Sequence, residues 1–177
     1  MIESYYWKED LLNHAKRLRP VKKPRRWSEK LVVNFEKEII ISFFCIRKLF
    51  EAHKVSSKSR EYRAGVYSYA PTGRRITRMN QYSIDEIYDL ENEKNVKIKI
   101  PFLANQLIHS CTIFAYRNED RNWGGIYACS DFERNKTIYR IPIEEVISIL
   151  KLVGKDYPST FSMTWNERAG DYDVQTN

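Results

Sequence analysis

Glycine and proline are scarce in this chain, six of each in 177 residues, which excludes a collagen-like protein or a low-complexity linker. Cysteine is scarcer. Cys45, Cys111 and Cys129 form an odd set with no paired-motif spacing, which argues against a disulfide framework and fits reduced thiols. No run approaches the roughly 20 apolar residues that a membrane span needs. The opening MIESYYWKEDLL mixes acids with aromatics where a secretory signal needs a basic start and an apolar stretch. Together these absences predict a cytoplasmic protein.

Chemical signatures are missing as well. Ser110 and Cys111, within HSC at 109–111, lack the glycines of a nucleophile elbow and the local pattern of a thiol protease. NWGG at 122–125 lacks the Lys and the Ser or Thr of a phosphate loop and reads as a turn. Asp89, Glu91 and Glu93 read as the solvated end of a short helix rather than a nuclease site. No cofactor is implied, and the sequence names no activity.

What remains is an ordered, globular composition: 42% hydrophobic and 14% aromatic residues. A chain of this length makes one domain and buries about two thirds of its unfolded surface. The net charge of +7 is unevenly spread: residues 1–30 hold nine Lys or Arg against four Asp or Glu, and the rest hold 21 against 19. Any attraction to a polyanion is thereby concentrated on KRLRPVKKPRR, residues 16–26.

Helical periodicity predicts a first helix over 5–18, with Ser4 as N-cap, Trp7, Leu11, Ala15 and Leu18 as its apolar stripe, and Pro20 ending it. A second, longer helix runs from Ser28 to about His53, with Trp27 expected to staple onto Val32. At 1.5 Å per residue it extends about 40 Å. Its polar stripe of Lys30, Asn34, Lys37 and Lys48 also carries Ile41 and Phe44. These must be covered by the first helix, by another element, or by a second copy of the chain.

Residues 54–82 read as loop, with at most one short hairpin. Ser83 caps a short helix, and VKIKI at 96–100 alternates like a strand, with Lys97 and Lys99 suited to an edge. CTIFAYR, GIYACS and TIYRI follow as three strands joined by short connections, a meander. A helix over 142–153 comes next, opened by Pro142 and followed by Gly154. FSMTW forms a last strand before a frayed end. The order of elements predicts an α+β fold: one domain with a long central helix, a small mainly antiparallel sheet and a further helix packed on it.

Three constellations follow. In the basic segment, Lys16, Arg17 and Arg19 suit a helix C-terminus, leaving Lys22, Lys23, Arg25 and Arg26, with Trp27 beside them, as candidate contacts to nucleic-acid phosphates. The competing expectation is a solvated connector. In the meander, pairing Arg117 with Gly125 sets Ile113 opposite Cys129, Cys111 opposite Asp131 and His109 opposite Glu133, which would gather an imidazole, thiols and carboxylates. That arrangement carries an enzyme or metal-site alternative on His109, Asp131 and Glu133.

Third, Phe114, Tyr116, Tyr127 and Tyr139 on a sheet face would resemble the platform of single-strand binders. CTIFAYR does not match the ribonucleoprotein consensus, however, and the alternation places these aromatics beneath the 142–153 helix. The favoured class is a non-enzymatic interaction protein with nucleic acid, or another polyanion, as its specific partner. Self-association through Ile41 and Phe44 is the second expectation.

Overall fold

The computed structural model describes residues 3–19 and 27–177. Lys22, Lys23, Arg25 and Arg26 lie outside the described residues. The helices are α1 (Tyr5–Arg17), α2 (Glu29–Glu51), α3 (Ser57–Glu61), α4 (Ile84–Ile87), α5 (Ile100–Ile108) and α6 (Ile143–Gly154). The strands are β1 (Arg63–Tyr69), β2 (Lys94–Lys99), β3 (Ser110–Arg117), β4 (Trp123–Ser130), β5 (Ile138–Pro142), β6 (Phe161–Asn166) and β7 (Asp171–Thr176). The chain is α+β.

Strands β1 to β5 form one antiparallel sheet in the order β2-β1-β5-β4-β3. Consecutive strands β3, β4 and β5 are the expected meander, and β2 is an edge strand. α5 and α6 lie on one face of this sheet, α2 reaches β3 from the same layer, and α1 packs on α6 and α2. Alternation along the strands sends Ala64, Val66, Ile126, Ala128 and Ile141 into that interface, where they meet Ile39, Phe43, Ile46, Leu103, Leu107, Val146 and Leu150. Each fully buried aliphatic side chain contributes about 1.5–3 kcal/mol by leaving water, so this layer contact dominates stability. Gly154 has a packing role: a Cβ there would lie 2.9 Å from the Leu12 side chain, so glycine lets α1 cross α6 closely.

Lys8 is buried in α1. Its Nζ donates to the carbonyls of Lys54 and Asp156 and sits 4.0 Å from the centre of the Tyr157 ring, and its burial lowers its pKa. In α2, the Ser28 hydroxyl accepts the Leu31 amide as the N-cap does. The Trp27 ring packs edge-on against Trp123, centroids 4.3 Å apart, and Trp123 is itself stacked on Phe35.

Several expectations change. The 54–82 stretch is only partly loop: it also holds α3 and β1, and β1 lies inside the sheet, paired with both β2 and β5. Its strand pattern is carried by Ala64 and Val66 alone, too weak to stand out beside the polar KVSSKSRE. The helix α5, for which the sequence pattern offered no assignment, follows directly from β2. The end of the chain does not fray after one strand; β6 turns into β7, and the two pair only with each other. Phe161, Met163 and Trp165 on β6 share a side with Tyr172 on β7, and all four are more than half exposed.

Candidate functional site

The second face of the sheet differs from the first. Residues 70–90 cross part of it, where Ile76, Ile87 and Tyr88 cover Tyr69, Cys129 and Ile138. Thr112 Oγ1 donates to the Gln81 carbonyl, and the Tyr82 ring meets Phe114 edge-on. Beyond this cover the face carries side chains of another kind. Register aligns Asn95, Tyr67, Arg140, Tyr127 and Phe114 into one row across all five strands. In the adjoining row, Lys97 stands beside Gly65, and Tyr116 beside Gly125. Tyr67, Phe114, Tyr116, Tyr127 and Arg140 are all partly exposed, and a Cβ at Gly65 would meet nothing within 4 Å.

Arg140 is the centre of this face. Its Nε donates to the Tyr69 hydroxyl at 2.8 Å, one Nη to Glu93 at 2.6 Å and the other to the Tyr116 hydroxyl at 3.5 Å. The guanidinium carbon lies 4.1 Å from the Tyr67 ring centroid, a cation–π distance. Tyr69 completes the group by donating to Glu93 at 2.9 Å. Those two hydrogen bonds, from Tyr69 and Arg140, hold the Glu93 carboxyl below the usual range. Tyr127 lies 5.2 Å from Tyr116 and 5.9 Å from Tyr69 between ring centroids. The result is a platform of aromatic rings held around a fixed guanidinium.

Cations surround the platform. Lys97 and Arg63 are exposed, with no ion pair among the described residues; Lys99 is paired with Glu61 and Arg74 with Glu86. Gly125 lets the platform close up. Its φ of 145° and the 2.1 Å that would separate a Cβ from the Ile141 carbonyl admit only glycine, and Tyr116 lies over it.

Of the four aromatics expected beneath the 142–153 helix, Tyr139 does face the helices, where it meets Phe102 of α5 edge-on. Phe114, Tyr116 and Tyr127 instead occupy the opposite face. Strand alternation alone does not say which side a helix covers, and these three positions have the parity opposite to that of Ile126 and Ala128.

Trp27 directly follows residues 20–26, and it packs on Trp123 beneath the Arg117 guanidinium, 5.2 Å away. Arg117 is the neighbour of Tyr116 at that end of the sheet. Trp27 itself is occupied by packing and does not offer a free face for a base. Its indole Nε1 has no hydrogen-bond partner among the described residues. Arg17 is engaged at the end of α1 with Glu38, 2.6 Å away.

The pairing of Arg117 with Gly125 is corrected by one residue. Tyr116 faces Gly125, Arg117 faces Trp123, and Thr112 faces Cys129, with irregularities between the 110 and 112 and between the 116 and 117 pairs. The hairpin loop is tighter than NEDRNWG: Asn118 N and Oδ1 bond to the Asn122 carbonyl and amide, both at 2.9 Å, and Arg121 takes a positive φ.

His109, Asp131 and Glu133 nonetheless line one cleft of about 510 Å³ with Arg47, Phe102, Asn105 and Phe132. Their partners are separate. His109 Nε2 is 3.0 Å from Arg47 Nη1, so it accepts from the guanidinium, while Asp131 pairs with Arg134 and Glu133 with Lys136. No group of three His, Cys, Asp or Glu side chains that could hold a metal ion occurs among the described residues. Local (i,i+3) ion pairs thus engage both carboxylates of the enzyme or metal-site alternative drawn on these three residues.

Ile41 and Phe44 are 41% and 44% exposed on α2, so neither α1 nor another described element covers them. Sequence reasoning missed Arg140, Tyr67 and Gly65; the gathering of two thiols expected in the meander does occur, with Cys111 and Cys129 Sγ 3.9 Å apart. Long-range register brings Tyr67 beside Arg140. No described helix is long and apolar enough to cross a membrane. Comparison with known proteins finds no matching family model, no matching curated protein and no matching solved structure.

Proposed function

We propose that this chain is a non-enzymatic binding protein whose ligand is single-stranded nucleic acid, held on the open face of the sheet. The observation that carries the reading is the row Tyr67–Arg140–Tyr127–Phe114, set in register across four strands on the face opposite α2, α5 and α6, which residues 70–90 cover in part. A partly exposed π surface with a guanidinium at its centre suits unpaired bases of any identity, at about 1–3 kcal/mol per stacked base. Lys97, Arg63 and Arg117 on the margin supply phosphate contacts. Lys22, Lys23, Arg25 and Arg26 extend that cationic margin in sequence, since the segment ends at Trp27 beside Arg117.

The test is fluorescence anisotropy with a labelled single-stranded oligonucleotide and its duplex at two salt concentrations. The single strand is expected to bind more tightly, and its log affinity should fall against log salt by about 0.7 per phosphate contact. Replacing Lys22, Lys23, Arg25 and Arg26 together by Ala should flatten that slope. Equal binding of both forms, or indifference to Tyr67→Ala and Tyr127→Ala, overturns the reading. Self-association through Ile41 and Phe44 belongs to the same proposal, favoured by their exposure. Sedimentation should show a dimer that Phe44→Glu weakens, and a monomer at all concentrations removes it.

A further inference from the structure

Two of the three thiols, far apart in sequence, meet at one end of the β3–β4 ladder. Cys129 lies on β4 opposite Thr112 and is fully buried. Cys111 sits at the irregularity between the Ser110–Ser130 and Thr112–Cys129 pairs and keeps partial access to solvent. A regular strand sends neighbouring side chains to opposite faces. Here the irregularity brings the Cys111 sulfur to the Cys129 side, where it lies 3.9 Å from Cys129 Sγ and 3.7 Å from Thr112 Oγ1. A disulfide bond is about 2.05 Å long, so closure requires about 2 Å of sulfur movement, which side-chain rotation at a half-exposed position can supply. Cys45 lies on α2 as a free cysteine.

The two sulfurs are not equivalent. A hydrogen bond from the Cys129 thiol favours the Cys111 thiolate and holds its pKa down, to about 6, against the opposing effect of burial. Cys129, buried beside that sulfur, is pushed up and keeps its proton. The exposed member is therefore the nucleophile and the buried member the partner that resolves it.

We propose that Cys111 and Cys129 form a reversible thiol-oxidation site whose co-reactant is a small disulfide of the glutathione type. The Cys111 thiolate attacks one sulfur of the small disulfide, whose S–S bond breaks and releases one thiolate. The Cys129 sulfur then attacks Cys111, the mixed disulfide breaks, and the second small thiol leaves with the proton from Cys129. Two protein thiols are oxidised to one disulfide, and one small disulfide is reduced to two thiols. The new bond joins β3 to β4 beside Tyr88, whose hydroxyl lies 3.3 Å from Cys129 Sγ and donates to the Arg134 carbonyl at 2.7 Å.

The experiment incubates the full chain with glutathione disulfide, quenches with acid, alkylates the remaining thiols and maps them by mass spectrometry. The expected product is a Cys111–Cys129 cross-linked peptide with Cys45 alkylated, returned to free thiols by dithiothreitol. Cys129→Ser should stop at a mixed disulfide on Cys111, and Cys111→Ser should slow modification of Cys129 at least about tenfold. Preferential modification of Cys45, or a wild-type mixed disulfide at Cys111 that never resolves, overturns the proposal. Should either variant lose its circular dichroism spectrum, the wild-type peptide map decides alone.

Discussion

The two faces of the five-stranded sheet are made by alternate residues of the same strands, and they do opposite things. On the helix side the alternation delivers Val66, Ile126, Ala128 and Ile141, all without exposure, into a dry contact with α2, α5 and α6. On the other side it delivers Tyr67, Arg140, Tyr127 and Tyr116, with Arg140 donating to the Tyr116 hydroxyl and lying over the Tyr67 ring. An aliphatic face is stable only when covered. An aromatic and guanidinium face tolerates water at its edges because hydroxyl and charge are hydrated there, and it keeps its π surface available to a ligand. The difference separates the residues that fold the chain from those that serve it.

The largest effect that would sharpen this contrast comes from the covered face. Ile126→Ala is expected to cost about 2–5 kcal/mol through a cavity beneath the helices, read by urea denaturation, while the folded fraction keeps the oligonucleotide affinity of the parent. Tyr127→Ala, on the neighbouring position and the opposite face, should do the reverse. Affinity should drop by about 1–3 kcal/mol, on the order of five- to a hundred-fold, with a smaller stability loss than Ile126→Ala. Equal stability losses for the two would erase the distinction between faces.

Gly65 tests whether the open face is open. Nothing lies within 4 Å of the position a Cβ would occupy, so Gly65→Val is expected to raise stability by about 0.5–1 kcal/mol through reduced backbone entropy in the unfolded chain. A destabilised Gly65→Val protein would mean that the face is occupied. The smallest effect belongs to the helical layer. His14 Nδ1 is 2.6 Å from Ser42 Oγ, which in turn donates to the Glu38 carbonyl, so the imidazole donates its proton to the serine. Burial depresses its pKa. The folded state therefore prefers neutral His14: its contribution is present above the ordinary histidine pKa and is lost as pH falls through the lower folded value. His14→Gln should flatten that part of the stability profile.

Local signals in the sequence were sufficient for α1, α2, α6 and the meander, where caps, an apolar stripe or short connections repeat the same message. They were insufficient for β1, whose Ala64 and Gly65 are poor strand formers and whose place is set by partners on both sides. The candidate site was legible only as residue types. Phe114, Tyr116 and Tyr127 could be named from alternation, but Arg140 and Tyr67 join them through long-range register. The slip of one residue at Trp123 shows why: a tight turn closed by Asn118 and Asn122 decides the pairing, and hydrophobicity does not report it.

The β6–β7 hairpin gives the molecule two spectroscopic populations of tryptophan. Trp123, stacked on Phe35 at 4.1 Å, senses the main core, while Trp165, 53% exposed and edge-on to Tyr172, senses a two-stranded ladder that shares no hydrogen bond with the larger sheet. Such a ladder opens at low cost. Emission from Trp165 should therefore shift at lower denaturant than emission from Trp123, and a wild-type fluorescence transition broader than that of Trp165→Phe would be the mark of a hairpin that lets go before the domain does.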